Sequence, residues 1–189
     1  MSDTITHPEL VAALVKPGND ILAGLTAESA DLWHAATGVA GEGTEICLAF
    51  LNFAIEGTLD KENLVEELGD MEFYLQQLRT NVGIERDELE GTDAEFLFSP
   101  EPVEMGSIVA VAAGDVLDFV KKVVVYQKPL DREALKVALC KLEGPLRAIR
   151  YMSGITLEEV LEANIAKLSV RYAGRTYSDE AAQNRADKA

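Results

Sequence analysis

Apolar residues recur every three or four positions along most of the chain, which is the spacing of one face of an α-helix. The pattern predicts helices over residues 7–15, 26–55, 60–83 and 103–126, another from 131 onward, and a last helix from 157 to about 174. Asp60 is a good N-cap and Gly83 a good C-cap for the third of them. Strand patterns are weak, so the predicted fold class is all-α, a helical bundle.

Several positions interrupt this pattern. Residues 90–104 contain one glycine and two prolines and indicate a connecting loop. Gly144 and Pro145 are expected to kink or break the helix that starts near residue 131. Thr156 and Glu159 form a capping box for the last helix. Beyond it, residues 178–189 form a polar C-terminal tail that we expect to be loosely held.

The composition favours one globular domain, residues 1–177. The 189 residues are 48% hydrophobic, which is enough for a sizeable core. The first residues lack the basic head of a signal peptide, and apolar runs look too short for a membrane span. We therefore expect a cytoplasmic protein in which Cys47 and Cys140 are free, buried thiols.

Acidic residues dominate the charge. There are 33 Asp and Glu against 17 Lys and Arg, giving a formal net charge of −16. Such a surface repels nucleic acid and anionic membranes, so we expect neither as a partner. An anionic substrate would need metal ions and a few well-placed Lys and Arg side chains to neutralise it.

The chain also contains an internal repeat. A shift of 71 residues aligns the third predicted helix with the one that starts near residue 131, and a shift of 73 aligns the segments before them. The helix–loop–helix unit of residues 26–90 is therefore predicted to be duplicated in degenerate form at 103–175. Matching pairs are Asp60 and Asp131, Leu68 and Leu139, Arg79 and Arg150, Gly83 and Gly154, Glu42 and Asp115, and Glu45 and Asp118.

Two carboxylate pairs lie on consecutive helices of the first copy. Glu42 and Glu45 are three residues apart, as are Glu67 and Asp70, so each pair shares a helix face. If the two helices run antiparallel, the pairs face each other and repel unless cations lie between them. Oxygen ligands without nearby His or Cys favour Mg²⁺, or Mn²⁺, over zinc.

Two other interpretations of these acids were weighed. A solvated acidic face would explain either pair alone, but two pairs embedded among apolar residues on consecutive helices favour a metal site. A carboxylate-bridged di-iron bundle needs Glu-x-x-His pairs. The only histidines are His7 and His34, and neither completes such a pair.

Glu42-x-x-Glu45 followed by Glu67-x-x-Asp70 resembles the signature of the MazG-type all-α nucleoside triphosphate pyrophosphohydrolases, particularly phage-borne members. The surrounding words VEELGD at 65–70, LEEV at 157–160 and NIAKL at 164–168 are similar too, and the resemblance spans about residues 6–187. It implies Mg²⁺ on the four carboxylates and hydrolysis of (deoxy)nucleoside triphosphates to monophosphate and pyrophosphate in nucleotide-pool control. Either Glu45 or Glu42 would be the general base.

The second copy departs from that signature. Ala138 and Lys141 stand where the first copy has Glu67 and Asp70, so half of the carboxylate set is missing. We expect this copy to supply cations for the phosphates rather than ligands for the metal. The side chains assigned to phosphate binding are Lys121, Lys122, Asn164, Lys167 and Arg171.

The residues expected to hold the base are less distinct. Trp33 or His34 would stack on it and Asn52 would hydrogen-bond it, although core packing is the favoured role for Trp33. Phe53, Phe73 and Tyr74 are also predicted to be core. The expected substrate is dGTP or another dNTP. Members of the similar family form dimers or tetramers, so a homodimer is expected, although the duplication also lets one chain imitate a dimer. The alternative function is a catalytically inactive helical binding or regulatory module.

Overall fold

The computed structural model describes residues 5–90 and 97–188, and within them every regular element is helical. This confirms the all-α prediction. Residues 91–96 of the predicted loop, like residues 1–4, lie outside the described ranges. The elements are α1 (His7–Leu14), α2 (Gly18–Ala23), α3 (Ala27–Glu56), α4 (Lys61–Val82), α5 (Arg86–Glu90), α6 (Pro102–Val124), α7 (Arg132–Ser153), α8 (Leu157–Arg171), α9 (Asp179–Asn184) and a 3₁₀ turn at Ala186–Lys188.

The core is formed mainly by α3, α4, α6 and α7. Helix α3 packs most extensively against α6 and then against α4, while α8 packs on the outer side of α4. At Gly43 a Cβ atom would lie only 2.6 Å from the Cβ of Ala113, so the glycine allows α3 and α6 to approach closely. Fully buried aliphatic side chains fill the space between these helices. Examples are Ile46, Leu64, Leu68, Val109, Val116, Leu135 and Leu139.

Helices α4 and α7 have the same length and the same caps. Each has 22 residues, and an aspartate at its N-cap, Asp60 or Asp131, accepts a hydrogen bond from a backbone N–H of the first turn. Each is followed by a glycine in the left-handed conformation, Gly83 at φ 64° and Gly154 at φ 60°. The two helices thus begin and end at residues that the 71-residue shift pairs.

The structure differs from the sequence-based expectation at Pro145 and in the C-terminal segment. Helix α7 runs from Arg132 to Ser153 through Pro145, so of the expected kink or break, the break does not occur. Pro145 is buried between buried neighbours in the sequence, and that packing offsets the lost backbone hydrogen bond. Residues 179–188, expected to be loosely held, instead fold back onto α8 as α9 and the 3₁₀ turn.

Helix α3 is the one described helix that is long and apolar enough, by length and composition, to cross a membrane. Its most apolar 18-residue window has a mean hydropathy of 1.2. This differs from the expectation that apolar runs are too short for a span. In the bundle, the buried side chains of α3, among them Leu32, Val39, Ile46 and Phe50, belong to the hydrophobic core.

Candidate functional site

Three of the four predicted carboxylates converge between α3 and α4. Glu42, Glu67 and Asp70 each offer an oxygen that lies within 4.8 Å of those of the other two. Glu45 is outside this group and exposed, and its charge is one of those that raise the pKa of Glu67. The helices are antiparallel here, because residue 38 of α3 meets residue 74 of α4 and Glu42 meets Asp70.

This acidic cluster is electrostatically unfavourable without a cation. Desolvation, followed by repulsion from Asp70, Glu45 and Glu67, raises the pKa of Glu42 to about 8. Desolvation and the nearby Glu45 charge raise the pKa of Glu67 to about 7. Carboxyl groups behave in this way when they share one site and lack enough positive charge. The cluster therefore favours the binding of a cation.

Helix α8 supplies the nearest positive charge. Lys167 Nζ donates to Asp70 Oδ2 at 2.5 Å and to Glu66 Oε1 at 3.2 Å. Asn164 Nδ2 donates to Asp70 Oδ1 at 2.9 Å. The contact depends on Gly69, where a Cβ atom would lie 3.0 Å from the Cβ of Asn164. Two of the five predicted phosphate-binding side chains, Asn164 and Lys167, thus lie directly beside the acidic cluster.

The C-terminal residues fasten onto the same region. Arg171 forms two hydrogen bonds with Asp187, at 2.6 and 2.7 Å, and both side chains are largely buried. Lys188 donates to Glu66 Oε2 at 2.7 Å. The sequence predicted that Arg171 binds phosphate, whereas in this structure its guanidinium pairs with the Asp187 carboxylate. A phosphate would have to share it with Asp187 or displace that residue.

An aromatic pocket of about 810 Å³ lies next to the cluster, between α4, α8 and the segment that follows α8. Burial raises the pKa of the Tyr74 hydroxyl, and the nearby charges of Glu42 and Asp70 raise it further. The rings around the pocket are His34, Phe73, Tyr74, Tyr172 and Tyr177. We call this space the aromatic pocket below.

The predicted base-binding residues fall in different places. His34 lines the aromatic pocket and packs edge-on against Tyr74, with ring centroids 5.7 Å apart. Trp33 packs against the core, in line with its favoured structural role. Asn52 is exposed on α3, seven residues beyond Glu45 and thus roughly 10 Å along the helix axis. The structure therefore brings only His34 of the three to this pocket.

Lys121 and Lys122 lie on α6 and are exposed. Both form ion pairs with Asp118 of their own helix, at 3.4 and 2.7 Å. No contact that the described residues make joins them to the acidic cluster. Their role in phosphate binding stays a prediction without geometric support.

The second repeat has a small cavity at the position equivalent to the acidic cluster. A cavity of about 190 Å³ is lined by Asp115, Ala138 and Lys141, among others. The group of converging metal-ligand side chains found in the described residues is the one in the first repeat.

Sequence analysis missed several residues near the cluster. Phe73 was predicted to be core but is 46% exposed, and Tyr74 is only partly buried. Glu66, Tyr177 and Asp187 were given no role at the site. The concentration of tyrosine and basic residues just after Arg171 was the available signal, but its meaning depends on the chain folding back. Of the two free cysteines, Cys140 is buried as predicted and Cys47 is only partly buried.

Comparison of the chain with protein-family models, curated proteins and solved structures found no match in any of the three.

Proposed function

We propose that this chain is a Mg²⁺-dependent pyrophosphohydrolase that converts (deoxy)nucleoside triphosphates to monophosphates and pyrophosphate. One observation carries the proposal: the convergence of Glu42, Glu67 and Asp70 beside the amide and ammonium groups of α8. The MazG-like carboxylate signature and the degenerate helix–loop–helix repeat support it. The cellular role that fits is control of a nucleotide pool.

The carboxylates suit magnesium. Octahedral Mg²⁺ places ligand oxygens roughly 3 to 4 Å apart, so oxygens within 4.8 Å of one another need only small side-chain adjustments to reach one ion. All the donors are hard oxygens, which disfavours zinc. When bound, Mg²⁺ would neutralise triphosphate charge and lower the pKa of a coordinated water.

Glu45 is the better candidate for the general base. Glu42 belongs to the converging group and is partly buried, whereas Glu45 is exposed at the edge of the cluster, where water can reach it. Its charge acts on both Glu42 and Glu67, so its carboxylate lies near the cluster. Glu45 therefore accepts the proton from the attacking water while Glu42, Glu67 and Asp70 hold the cation.

Lys167, Asn164 and Arg171 act on the phosphates. Lys167 and Asn164 now contact Asp70, so both side chains lie within a short movement of any phosphate oxygen that reaches the cluster. Arg171 adds a guanidinium suited to bidentate phosphate contact. Lys167 and Arg171 provide local positive charge, and Asn164 an amide donor, in a chain of net charge −16.

The test is a pyrophosphate-release screen over the eight common NTPs and dNTPs, with Mg²⁺ and with chelator. The expected result is Mg²⁺-dependent release of pyrophosphate, and not of orthophosphate, from at least one nucleotide. A protein that binds nucleotide or metal but releases nothing in every reaction would instead be the inactive regulatory module.

A variant pair separates the base from the metal ligands. Glu45→Gln is expected to keep Mg²⁺ affinity while turnover falls by about a hundredfold or more, as for loss of a general base. Glu104→Gln, which alters an acid of α6 outside the cluster, is the control and should turn over normally. Equal turnover in Glu45→Gln and Glu104→Gln would reject the role given to Glu45.

A further inference from the structure

The aromatic pocket contrasts in charge with the rest of the chain. Arg175 and Arg171, the latter paired with Asp187, are among its lining residues, and no acidic residue is among those described as lining it. In a chain with 33 acidic residues, such a surface selects a ligand with negative charge or with hydrogen-bond acceptors at its edge. Its volume of about 810 Å³ is in the range of pockets that enclose small organic ligands.

Its aromatic rings come from two sides. His34 and Tyr74 meet edge to face on the side of α3 and α4. Tyr172 and Tyr177 lie on the other side, with ring centroids 5.9 Å apart and planes inclined at 35°. The planar rings of nucleobases stack on such aromatic faces, whichever base is present.

Tyr177 is held in place while its ring stays accessible. Its hydroxyl donates to Asp179 Oδ1 at 2.7 Å, yet 69% of the residue is exposed. A large aromatic group that is fixed by one hydrogen bond but not packed into the core is suited to contact a ligand. Its position is set by α9, because Asp179 is the first residue of that helix.

Two residues link the pocket to the acidic cluster. Asn164 lines the pocket and also donates to Asp70. Tyr74 lines the pocket and lies near Glu42 and Asp70. A ligand with a charged end at the cluster would therefore place an attached ring in the aromatic pocket.

We propose that the aromatic pocket holds the base of the nucleotide, and that Tyr177, positioned by α9, supplies a stacking face for it. The inference rests on the proposed function, which it extends from the phosphates to the base. It replaces Trp33 and Asn52, which lie elsewhere, and retains His34. The C-terminal segment thereby becomes part of the substrate site rather than a tail.

The experiment compares Tyr177→Leu, which removes the ring, with Tyr177→Phe, which keeps the ring and loses the hydroxyl. Tyr151→Leu on α7 is the matched control, since Tyr151 is 89% exposed and does not line the pocket. The probes are the α,β-imido analogues of the four dNTPs and inorganic tripolyphosphate, each with Mg²⁺. The four deoxynucleosides are tested without metal by saturation-transfer NMR.

For the tightest-binding analogue, we expect Tyr177→Leu to weaken affinity by about fivefold or more, the minimum expected for lost base stacking. Affinity for tripolyphosphate, which has no base, should not change. Tyr151→Leu should bind both probes like the original protein, and Tyr177→Phe, which keeps the ring but loses its hydrogen bond to Asp179, should weaken analogue binding less than Tyr177→Leu does. Saturation transfer to the base protons of a deoxynucleoside should weaken most in Tyr177→Leu.

Other outcomes separate the two proposals. If the protein binds tripolyphosphate as tightly as every analogue, or if Tyr177→Leu changes nothing, the base site is rejected while the hydrolase proposal survives. If neither triphosphate nor tripolyphosphate binds with Mg²⁺ but deoxynucleosides bind and depend on Tyr177, the hydrolase fails and the pocket stands. If no probe binds, both proposals fail.

Discussion

At the scale of residues, the decisive feature is a set of carboxyl groups brought together against their mutual repulsion. The three-residue spacing within each pair was visible in the sequence, because helical periodicity fixes which side chains share a face. The division of labour was not visible. Sequence alone left Glu42 and Glu45 equivalent, whereas the fold puts Glu42 inside the converging group and leaves Glu45 exposed.

The raised pKa values predict how stability depends on pH in the metal-free protein. The folded-state pKa values are about 8 for Glu42 and about 7 for Glu67, both above the ordinary value of 4.5. Between pH 4.5 and about 8, the folded state retains protons that the unfolded state has released. The free energy of unfolding therefore falls as pH rises through this range. Groups with lowered pKa values are ionised in both states over that range.

Thermal unfolding in chelator between pH of about 6 and about 9 checks this prediction. The melting temperature should fall with rising pH, and Glu42→Gln should flatten the slope and melt higher at the alkaline end. A melting temperature that rises with pH in the original protein, or an unchanged slope in Glu42→Gln, would contradict the assigned repulsion.

At the scale of elements, the contact between α4 and α8 builds the site. Helix boundaries were predictable to within a few residues, since caps such as Thr156 and Gly83 carry local signals. The face of α4 that receives α8 was not predictable, because it depends on long-range packing. Gly69 lets α8 approach α4 closely, whereas the 71-residue shift places the larger Cys140 at the same position of α7. Helix α8 packs on α4 rather than on α7.

Gly69→Ala tests the importance of this contact. The added Cβ atom would lie 3.0 Å from the Cβ of Asn164 and 3.4 Å from the backbone oxygen of Val160, so α8 must shift outward. We expect nucleotide turnover to fall by about threefold or more, because a shift of a few tenths of an ångström moves Asn164 and Lys167 relative to Asp70. Steady-state kinetics on the best substrate measures it.

Gly114→Ala is the control for that substitution. Gly114 lies on α6, and a Cβ there would meet no atom within 4 Å. Its turnover should equal that of the original protein, and its stability should rise by up to about 1 kcal/mol from improved helix propensity. If Gly69→Ala turns over as fast as Gly114→Ala, the close α4–α8 contact has no role in catalysis.

At the scale of the whole molecule, a buried charge network joins the two repeats. Glu72 contacts Arg79, Arg86 and Arg150, and Glu143 contacts Arg86 and Arg150. The 71-residue shift aligns Glu72 with Glu143 and Arg79 with Arg150, so equivalent positions of the two repeats take part in the network. The repeat was detectable from the sequence, but this network was not, since helical periodicity cannot show which charged side chains turn inward between α4 and α7.

Removing one cation from the network should be costly. Arg150→Ala removes the guanidinium that bridges Glu72, which is 2% exposed, and Glu143, which is 4% exposed, and leaves Arg79 and Arg86 to balance both carboxylates. We expect a loss of about 1–3 kcal/mol in the free energy of unfolding, the range for buried polar groups that lose a hydrogen-bond partner. Denaturant unfolding followed by circular dichroism measures this loss.

Arg147→Ala is the matched control on the same helix, because Arg147 is exposed. Its stability should change by less than about 0.5 kcal/mol. Similar stabilities for Arg147→Ala and Arg150→Ala would show that the network does not hold the repeats together.

The acidic cluster as a cation site is the claim on which the rest depends, and a calorimetric titration with Mg²⁺ tests it most directly. The original protein and Glu62→Gln, which alters an exposed acid of α4 outside the cluster, should show the same saturable binding. Glu67→Gln should bind about tenfold more weakly or worse, because it removes a ligand. Absence of saturable binding in the original protein, or equal affinities in Glu62→Gln and Glu67→Gln, would contradict the account.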